Sequence, residues 1–219
     1  MNFFVEAFMW LADSANWWGS DGVFTRVLEH AGYSLLCLLA ASLLAIPLGL
    51  YIGHTGRLRS LVILSTGSLR AIPTLGLLSL FGLLLGIGAQ APLLALVVLA
   101  TPTILAGTYA GVESVNPQTV DAAYAQGMTS WQVLWKVQFP LASGLILGSL
   151  RSAMLQLVST VTLVAYLGGG GLGRYLFRGL GTQNYSLMLV ASLLVIVIAI
   201  FFEGVFAQLQ RVNKRKIHI

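Results

Sequence analysis

Residues 185–202, Tyr-Ser-Leu-Met-Leu-Val-Ala-Ser-Leu-Leu-Val-Ile-Val-Ile-Ala-Ile-Phe-Phe, contain no Asp, Glu, Lys or Arg. They belong to a longer charge-free stretch at 179–202. A helix needs roughly 20 apolar residues to cross the hydrocarbon of a bilayer, because that layer is about 30 Å thick and a helix rises about 1.5 Å per residue. The stretch therefore predicts a transmembrane helix.

The composition extends this interpretation to the rest of the 219-residue chain. Charged residues make up 9% and apolar residues 57% of it, whereas a soluble domain carries about 25% charged residues. Three further stretches lack Asp, Glu, Lys and Arg, namely 31–56, 71–112 and 152–173. We therefore expect an all-α polytopic membrane protein with about five transmembrane helices.

The charge-free stretches and the turn-forming residues between them give the expected boundaries. The spans are expected at 32–52, 58–85 with a break at Pro73, 92–112, 141–167 and 185–209. The expected domains are an N-terminal interfacial segment at 1–30, a transmembrane domain at 31–209 and a basic cytoplasmic tail at 210–219. The transmembrane domain contains a cytoplasmic loop at 113–140 and a glycine-rich polar loop at 168–184. Trp17 and Trp18 favour the interfacial position of the first segment, since Trp is enriched at headgroup depth.

The distribution of Lys and Arg predicts the orientation, because cytoplasmic loops carry an excess of positive charge. With the tail inside, seven basic residues face the cytoplasm and three face outward. The inner set is Arg57, Arg59, Lys136, Arg211, Lys214, Arg215 and Lys216, and the outer set is Arg26, Arg174 and Arg178. We expect the N-terminus outside and the C-terminus in the cytoplasm. A basic tail directly after a span indicates a membrane-surface contact rather than a nucleic-acid site.

The loop at 113–140 carries its own helix signals. Asn116-Pro117 is typical of an N-cap followed by the first helical residue. Gly127 supplies the left-handed conformation that ends a short helix. Thr129 or Ser130 is expected to cap a second short helix, and Pro140 is expected to stop that helix. Two short helices would form a compact protrusion that enters a cleft on another protein.

The residues of this protrusion are suited to a protein contact. The small side chains of Ala122 and Ala123 are expected to let another protein approach the protrusion closely. Trp131 and Trp135 offer large, rigid contacts of the kind that carry binding energy. An ordinary connecting loop is the alternative interpretation.

The spacing of the loop, Asp121-Ala122-Ala123-x3-Gly127-x9-Val137-x-Phe139-Pro140, resembles a known pattern. It is similar to the Glu-Ala-Ala-x3-Gly-x9-Ile-x-Leu-Pro loop of ABC importer permeases, with three substitutions that keep the chemical type. The resemblance implies that the loop forms coupling helices, which dock into a groove on an ATP-binding subunit.

The resemblance covers most of the chain. The stretches at 70–75, 148–153 and 162–173 resemble the permeases of osmoprotectant importers, which carry glycine betaine, choline or carnitine. The implied partners are two ATPase subunits, a second permease subunit that is identical or homologous, and an external solute-binding protein. ATP and Mg are then expected on the ATPase, with no cofactor in this chain. The implied location is the bacterial inner membrane.

Polar residues and prolines within the spans are candidates for a translocation pathway or gate. The candidates are Arg70, Pro73, Arg151, Gln156, Ser159 and Thr160. An intramembrane charge usually faces a partner or a cavity. The alternatives are snorkelling or backbone pairing for the arginines, helix packing for the small polar residues, and an interfacial position for Glu203.

The sequence argues against an enzyme. Residues 168–173 satisfy G-x-G-x-x-G, but no strand precedes them and no acid follows until Glu203, so a dinucleotide site is rejected. A Gly-Lys dipeptide does not occur, which excludes a phosphate-binding P-loop. The three histidines are too scattered for a metal site.

Three alternatives to an osmoprotectant permease remain open at this point. A permease for methionine or another amino acid would have a similar length and a similar loop. A stand-alone secondary transporter would show intramembrane acid pairs or inverted repeats, and neither is clear in the sequence. A non-transporting assembly factor would use the loop only to recruit a partner.

Overall fold

The computed structural model describes residues 2–60, 62 and 72–217, and the regular secondary structure in these ranges is helical. The expected all-α class is confirmed. The α-helices are α1 Phe3–Ala12, α2 Val23–Thr55, α3 Thr74–Leu85, α4 Gln90–Glu113, α5 Pro117–Ala125, α6 Ser130–Val133, α7 Phe139–Thr160, α8 Gly173–Gly181 and α9 Tyr185–Ile217. A π-helical segment, Leu134–Gln138, joins α6 to α7, and 3-10 helices cover Ser14–Asn16 and Val161–Leu167.

Four helical stretches in the described ranges are long and apolar enough to cross a bilayer. They are Val23–Thr55, Gln90–Glu113, Ser130–Leu167 and Tyr185–Arg215. The span expected at 58–85 is described only in part, because residues 61 and 63–71, including Arg70, lie outside the described ranges. Its end forms α3, which begins directly after Pro73. Pro73 has extended backbone with ψ 120°, so the break expected there is confirmed.

Two regions differ from the sequence-based expectation. Helix α2, Val23–Thr55, extends beyond the span expected at 32–52, and its first turns contain Arg26 and Glu29, which pair with each other at 2.6 Å. The loop expected at 168–184 contains α8. Gly168 and Gly171, with φ near +87° and +82°, make the turns that precede this helix.

Pro140 does not stop the second helix of the 113–140 loop, contrary to expectation. The chain stays helical from Ser130 through Leu134–Gln138 into α7. Phe139 N donates to Leu134 O, a wide π-type turn just before the proline. Proline disrupts a regular helix because its ring meets the carbonyl one turn earlier and its nitrogen cannot donate. A wider turn at that point makes room for the ring.

The described residues fall into two compact units. The first comprises Met1–Leu38, Pro73–Val97 and Met154–Phe202. Within it, the buried imidazole of His30 donates from Nε2 to Val158 O at 2.8 Å. Helix α1 is attached through Ser186 Oγ, which donates to Glu6 Oε2 at 2.5 Å. The helical state of the N-terminal segment is therefore observed, while its interfacial position stays a prediction.

The second unit comprises Leu39–Ile72, Val98–Ala153 and Glu203–Ile219. Glycines bring its helices close together. A Cβ on Gly49 would lie 2.7 Å from Thr108 Cβ, and one on Gly53 would lie 2.6 Å from Val112 Cβ. The contact moves from Thr108 to Val112 on α4 as it moves from Gly49 to Gly53 on α2, so the two helices run parallel here. Parallel neighbours are the arrangement expected if one further span connects them.

Helices α4 and α7 meet through a second pair of glycines, four residues apart. A Cβ on Gly107 would lie 2.1 Å from Ser149 Cβ, and one on Gly111 would lie 3.0 Å from Ala142 O. Small residues at this spacing allow two backbones to approach closely, which is how helices gain contact in a bilayer, where the lipid is as apolar as the side chains. Here α4 and α7 run antiparallel.

We expect Gly107→Ala to destabilise the protein by about 1–3 kcal/mol, because the added methyl group overlaps Ser149 and forces α4 and α7 apart. The midpoint of thermal unfolding of the purified protein in detergent measures this. Gly144→Ala on α7 is the matched control, since a Cβ there meets nothing within 4 Å. Adding Ser149→Gly to Gly107→Ala should recover most of the loss. Equal midpoints for the Gly107 and Gly144 variants would contradict the contact.

Candidate functional site

The candidate site is the pair of short helices between α4 and α7, called here the insert helices (α5 and α6). The first begins as the sequence predicts, with Asn116 Oδ1 accepting a hydrogen bond from Gln118 N at 2.9 Å. Pro117 occupies the first helical position, where its missing N–H costs nothing. The start of α5 is therefore determined by local chemistry.

The turn between the insert helices is closed by backbone bonds at both of its ends. Gly127 has φ +82°, Gly127 N donates to Tyr124 O at 2.9 Å, and Met128 N donates to Ala123 O at 3.2 Å. This is a Schellman-type helix end, which satisfies carbonyls that a helix terminus otherwise leaves unpaired. The predicted left-handed glycine is confirmed. The turn needs no external partner to hold its shape.

The second insert helix begins with a reciprocal cap. Gln132 N donates to Thr129 Oγ1 at 3.4 Å, and Thr129 N donates to Gln132 Oε1 at 2.8 Å. Such a capping box satisfies two N–H groups that the first turn leaves without a helical partner. Of the two residues considered from the sequence, Thr129 is the cap. Both insert helices thus have defined first residues.

The family-like positions of the loop divide into an outer and an inner set. Asp121, Ala122, Gly127 and Pro140 are exposed, as are Trp131 and Trp135. Ala123 is buried, with 6% of its surface accessible, so the expectation that it forms part of a contact surface was wrong. It faces inward because a helix with one exposed side turns its other side to the body of the protein. Val137 and Phe139 are half-buried.

The inner set ties the insert to the spans of the second unit. Phe139 packs against a cluster of buried apolar residues that includes Leu50 of α2, Val112 of α4 and Leu134. The indole rings of Trp131 and Trp135 meet edge to face at 5.5 Å, and Trp135 lies 5.2 Å from the ring of Phe139. A force on the insert would therefore reach both α2 and α4 through direct contacts.

His54, at the end of α2, makes a polar link to the second insert helix that sequence reasoning missed. Its Nδ1 donates to Gln138 Oε1 at 2.5 Å, and its Nε2 lies 2.6 Å from Ser130 Oγ. In the neutral imidazole, Nε2 accepts from the Ser130 hydroxyl. His54 is 84 positions away from Gln138 and 76 positions away from Ser130 along the chain. A lone histidine after a span carries no signal that would have predicted these partners.

We expect His54→Leu to loosen the attachment of the second insert helix to α2, because it leaves the buried Gln138 amide without this partner. The cost of such a buried, unpaired group is about 1–3 kcal/mol. The midpoint of thermal unfolding in detergent measures it. Thr55→Val is the matched control, since the Thr55 hydroxyl has only near neighbours in sequence as partners here: it donates to Tyr51 O at 2.7 Å and accepts from Arg57 N at 3.3 Å. A His54→Leu midpoint equal to that of Thr55→Val would rule the link out as a stabilising contact.

Arg151 lies in α7 and forms an ion pair with Glu203 of α9. Arg151 Nε donates to Glu203 Oε2 at 2.8 Å, and a second, shorter bond joins Arg151 NH2 to Glu203 Oε1. Arg151 NH1 donates to Gln210 Oε1 at 2.9 Å. Sequence reasoning considered Arg151 and Glu203 separately and did not predict this pair, while the interfacial position of either residue stays a prediction. Each charge has a partner because an isolated charge in or near hydrocarbon is costly.

Three of the remaining candidate pathway residues, Gln156, Ser159 and Thr160, are on α7 in the first unit, and Pro73 directly precedes α3. Ser159 Oγ and Thr160 Oγ1 both donate to Gln156 O at 2.8 Å, so their hydroxyls are satisfied by their own helix. Ser159 and Thr162 line a cavity of about 250 Å³ together with Ser192 of α9. Gln156 and Thr160 are not part of its lining. A pathway role for Ser159, Gln156, Thr160 and Pro73 stays a prediction.

The glycine-rich stretch at 168–173 contacts a charged cluster within the first unit. Glu29 Oε2 accepts from Gly171 N at 2.7 Å and from Arg26 NH1 at 2.6 Å. A Cβ on Gly170 would lie 2.3 Å from Glu29 Oε2, so a side chain there would push the Glu29 carboxylate away from its present position. The glycines of this stretch therefore leave room for a carboxylate held against their backbone.

Asp21 forms the other half of this cluster. Arg26 Nε donates to Asp21 Oδ1 at 3.0 Å, and Arg178 pairs with Asp21 Oδ2. Burial acts to raise the pKa of Asp21, but the hydrogen bonds and charges of Arg178 and Arg26 outweigh it and hold that pKa below its usual value. Tyr175 OH donates to Asp21 O at 2.6 Å. Burial, aided by the Asp21 charge, raises the pKa of Tyr175 to about 12, so it remains a donor at neutral pH.

With this geometry in place, comparison with known proteins identifies the family. The family described as "Binding-protein-dependent transport system inner membrane component" matches residues 45–216. The chain belongs to this family. It is therefore a permease subunit of an ABC importer and a component of the inner membrane, as the resemblance of the insert implied.

Curated relatives of this permease are similar over nearly the whole chain. A carnitine transport permease protein of Listeria monocytogenes is 31% identical over 200 residues, which cover 89% of this chain and 90% of that protein. A glycine betaine/carnitine/choline transport system permease protein of Bacillus subtilis is 31% identical over 183 residues, 84% of each chain. A choline transport system permease protein of Bacillus subtilis is 30% identical over 186 residues, which cover 85% of this chain and 86% of that protein.

Solved structures share the fold of this permease at lower sequence identity. The methionine ABC transporter MetNI in an inward-facing conformation contains a chain that aligns with a TM-score of 0.77 at 21% identity, covering 95% of this chain and 98% of that one. An amino acid ABC transporter with histidines aligns with a TM-score of 0.68 at 19% identity, covering 86% of this chain and 92% of that one. At these identities the likeness concerns the fold alone.

Proposed function

We propose that this permease forms half of the pathway for a small osmoprotectant of the glycine betaine, carnitine and choline type. The observation that supports this solute class is the 30–31% identity to permeases of that class over at least 84% of the chain. The amino-acid alternative has support only from the folds of the methionine and amino acid transporters, at 21% and 19% identity. A second permease subunit, identical or homologous, would complete the pathway, since about five helices are too few to enclose a solute.

In this proposal the insert helices dock on an ATPase subunit, one for each permease. The support is the exposed set Asp121, Ala122 and Trp131 on helices whose ends are closed by their own caps. A contact of this kind loses little conformational entropy on binding, because the surface is already ordered. ATP and Mg bind the ATPase, which carries out hydrolysis, and this chain needs no cofactor.

Movement of the docked ATPase is transmitted to the spans along two routes. The second insert helix continues into α7 without a break in the helix, and His54 links its first turn and its π segment to α2. The two ATPase states switch the pathway only if the insert contacts them differently. An external binding protein delivers the solute on the side opposite to the insert, with the N-terminus outside and the C-terminus in the cytoplasm.

The docking role predicts that Asp121→Lys leaves the protein inserted but lowers solute uptake about tenfold or more, because reversing a charge at an interface opposes binding. Uptake and ATP hydrolysis are measured in proteoliposomes that contain the ATPase and the binding protein. Asp121→Glu is the matched control, since it retains the carboxylate. Gly127→Trp should behave like Asp121→Lys. Normal uptake with Asp121→Lys would contradict docking through this residue.

The solute class is tested by titrating the cognate binding protein with glycine betaine, carnitine, choline, proline and methionine. We expect solutes with a quaternary ammonium group to bind and to stimulate uptake by the reconstituted importer. Such groups are recognised by aromatic side chains on the binding protein. Methionine is the negative control. If methionine were the one solute of this set that is bound and taken up, the osmoprotectant assignment would be replaced, while the permease assignment would stay in place.

A further inference from the structure

A basic cavity of about 280 Å³ lies between α7 and the end of α9, within the second unit. It is lined by Arg151, Ala207, Gln210, Arg211 and Lys214. Three of these side chains are cationic and none is acidic. Like charges gathered around one space repel each other, so such a cavity creates a local potential that attracts an anion.

One of the three cations is held in a fixed position. Arg151 Nε donates to Glu203 at 2.8 Å, and Arg151 Nη1 donates to Gln210 at 2.9 Å. Glu203 offsets a single positive charge, so the wall of the cavity stays basic. These bonds leave further N–H groups of the guanidinium available for an acceptor, because arginine has a fork of donors. Arg151 therefore combines a fixed orientation with remaining donor capacity.

The position of the cavity along α9 places it near the level of lipid phosphates. Residues 185–202 are free of charge, and Arg211 is the first basic residue after them. The charge-free residues 185–202 extend over about 27 Å at about 1.5 Å per residue, close to the hydrocarbon thickness of about 30 Å. Ala207 and Gln210 follow Phe202 by roughly 8 Å and 12 Å along the helix axis, so they lie beyond the edge of the hydrocarbon, at the headgroup layer. Basic pockets between transmembrane helices at such a depth bind lipid head groups.

We propose that this cavity binds a phosphate group, and that an anionic phospholipid supplies it. Arg211 and Lys214 contribute charge from α9, and Arg151 contributes directed N–H donors from α7. Arginine suits a phosphate through paired donors and lysine through a compact charge. A phospholipid is the favoured source over inorganic phosphate because of the depth of the cavity. The site is independent of which solute the permease carries.

The site is tested on the purified full-length chain in detergent, with phosphatidylglycerol or phosphatidylcholine added at equal concentration. Native mass spectrometry counts the lipids retained. We expect the wild type to retain phosphatidylglycerol in preference to phosphatidylcholine. Arg211→Gln and Lys214→Gln should each weaken that retention about fivefold, because each removes a cation that lines the cavity and contacts the bound phosphate directly. Arg151 is left unchanged, because its loss would leave Glu203 unpaired.

Arg215→Gln is the matched control, since Arg215 is an exposed neighbour on the same helix and does not line the cavity. It removes the same charge and should change retention less than twofold. An equal loss with Arg215→Gln would mean that diffuse charge attracts the lipid, and the site would be rejected. Equal retention of the two lipids by the wild type would reject it as well.

Two further measurements test whether inorganic phosphate or a protein occupies the cavity instead of a lipid phosphate. Displacement of phosphatidylglycerol by millimolar inorganic phosphate, with the same dependence on Arg211 and Lys214, would overturn the lipid as the source. Loss of ATPase co-purification in Arg211→Gln or Lys214→Gln, with lipid retention unchanged, would make the cavity a protein contact and overturn the proposal. Lipid retention itself needs neither solute nor ATPase, so its failure is distinguishable from failure of the proposed function.

Discussion

The close approach of helices at glycine residues is the constraint on which the second unit depends. Gly49 and Gly53 bring α2 against α4, and Gly107 and Gly111 bring α4 against α7. In a bilayer these contacts cannot draw on the hydrophobic effect between helices, so dispersion at short range has to hold them. A single added methyl group at Gly107 removes the fit. The insert helices are positioned by the same three helices, and their placement follows from this packing.

The insert joins a locally determined shape to a tertiary attachment. Its turn is closed by the bonds of Gly127 and Met128 and by the capping box of Thr129, so its form is fixed by bonds within residues 123–132. His54 and the apolar cluster around Phe139 then fix it to the spans. A surface that is both ordered and attached to the spans can transmit displacement, which is the property that the proposed docking on an ATPase requires.

Charged residues of the spans show where sequence reasoning stopped. The charge-free runs predicted the class, and Asn116, Gly127 and Pro73 were assigned correctly, because caps and breaks depend on neighbours a few positions away. Arg151 and Glu203 were each considered alone. They are 52 positions apart, and one sequence gives no measure of distance across helices. The inward position of Ala123 was missed for a related reason, since the direction of a short helix face depends on what it packs against.

By itself, the sequence determined the membrane class, four of the spans, and the caps and left-handed turn of the insert. These follow from hydrocarbon thickness and from hydrogen bonds between near neighbours, so they can be derived from residue order. Only the tertiary structure decided that the helix passes through Pro140, that His54 bonds to Ser130 and Gln138, and that Glu29 lies against the backbone of Gly171. The passage through Pro140 depends on the π-type turn at Leu134–Gln138, which the sequence reasoning did not anticipate. The His54 and Glu29 contacts depend on segments distant in sequence approaching within a few ångströms, and that approach is set by side-chain packing rather than by local propensity.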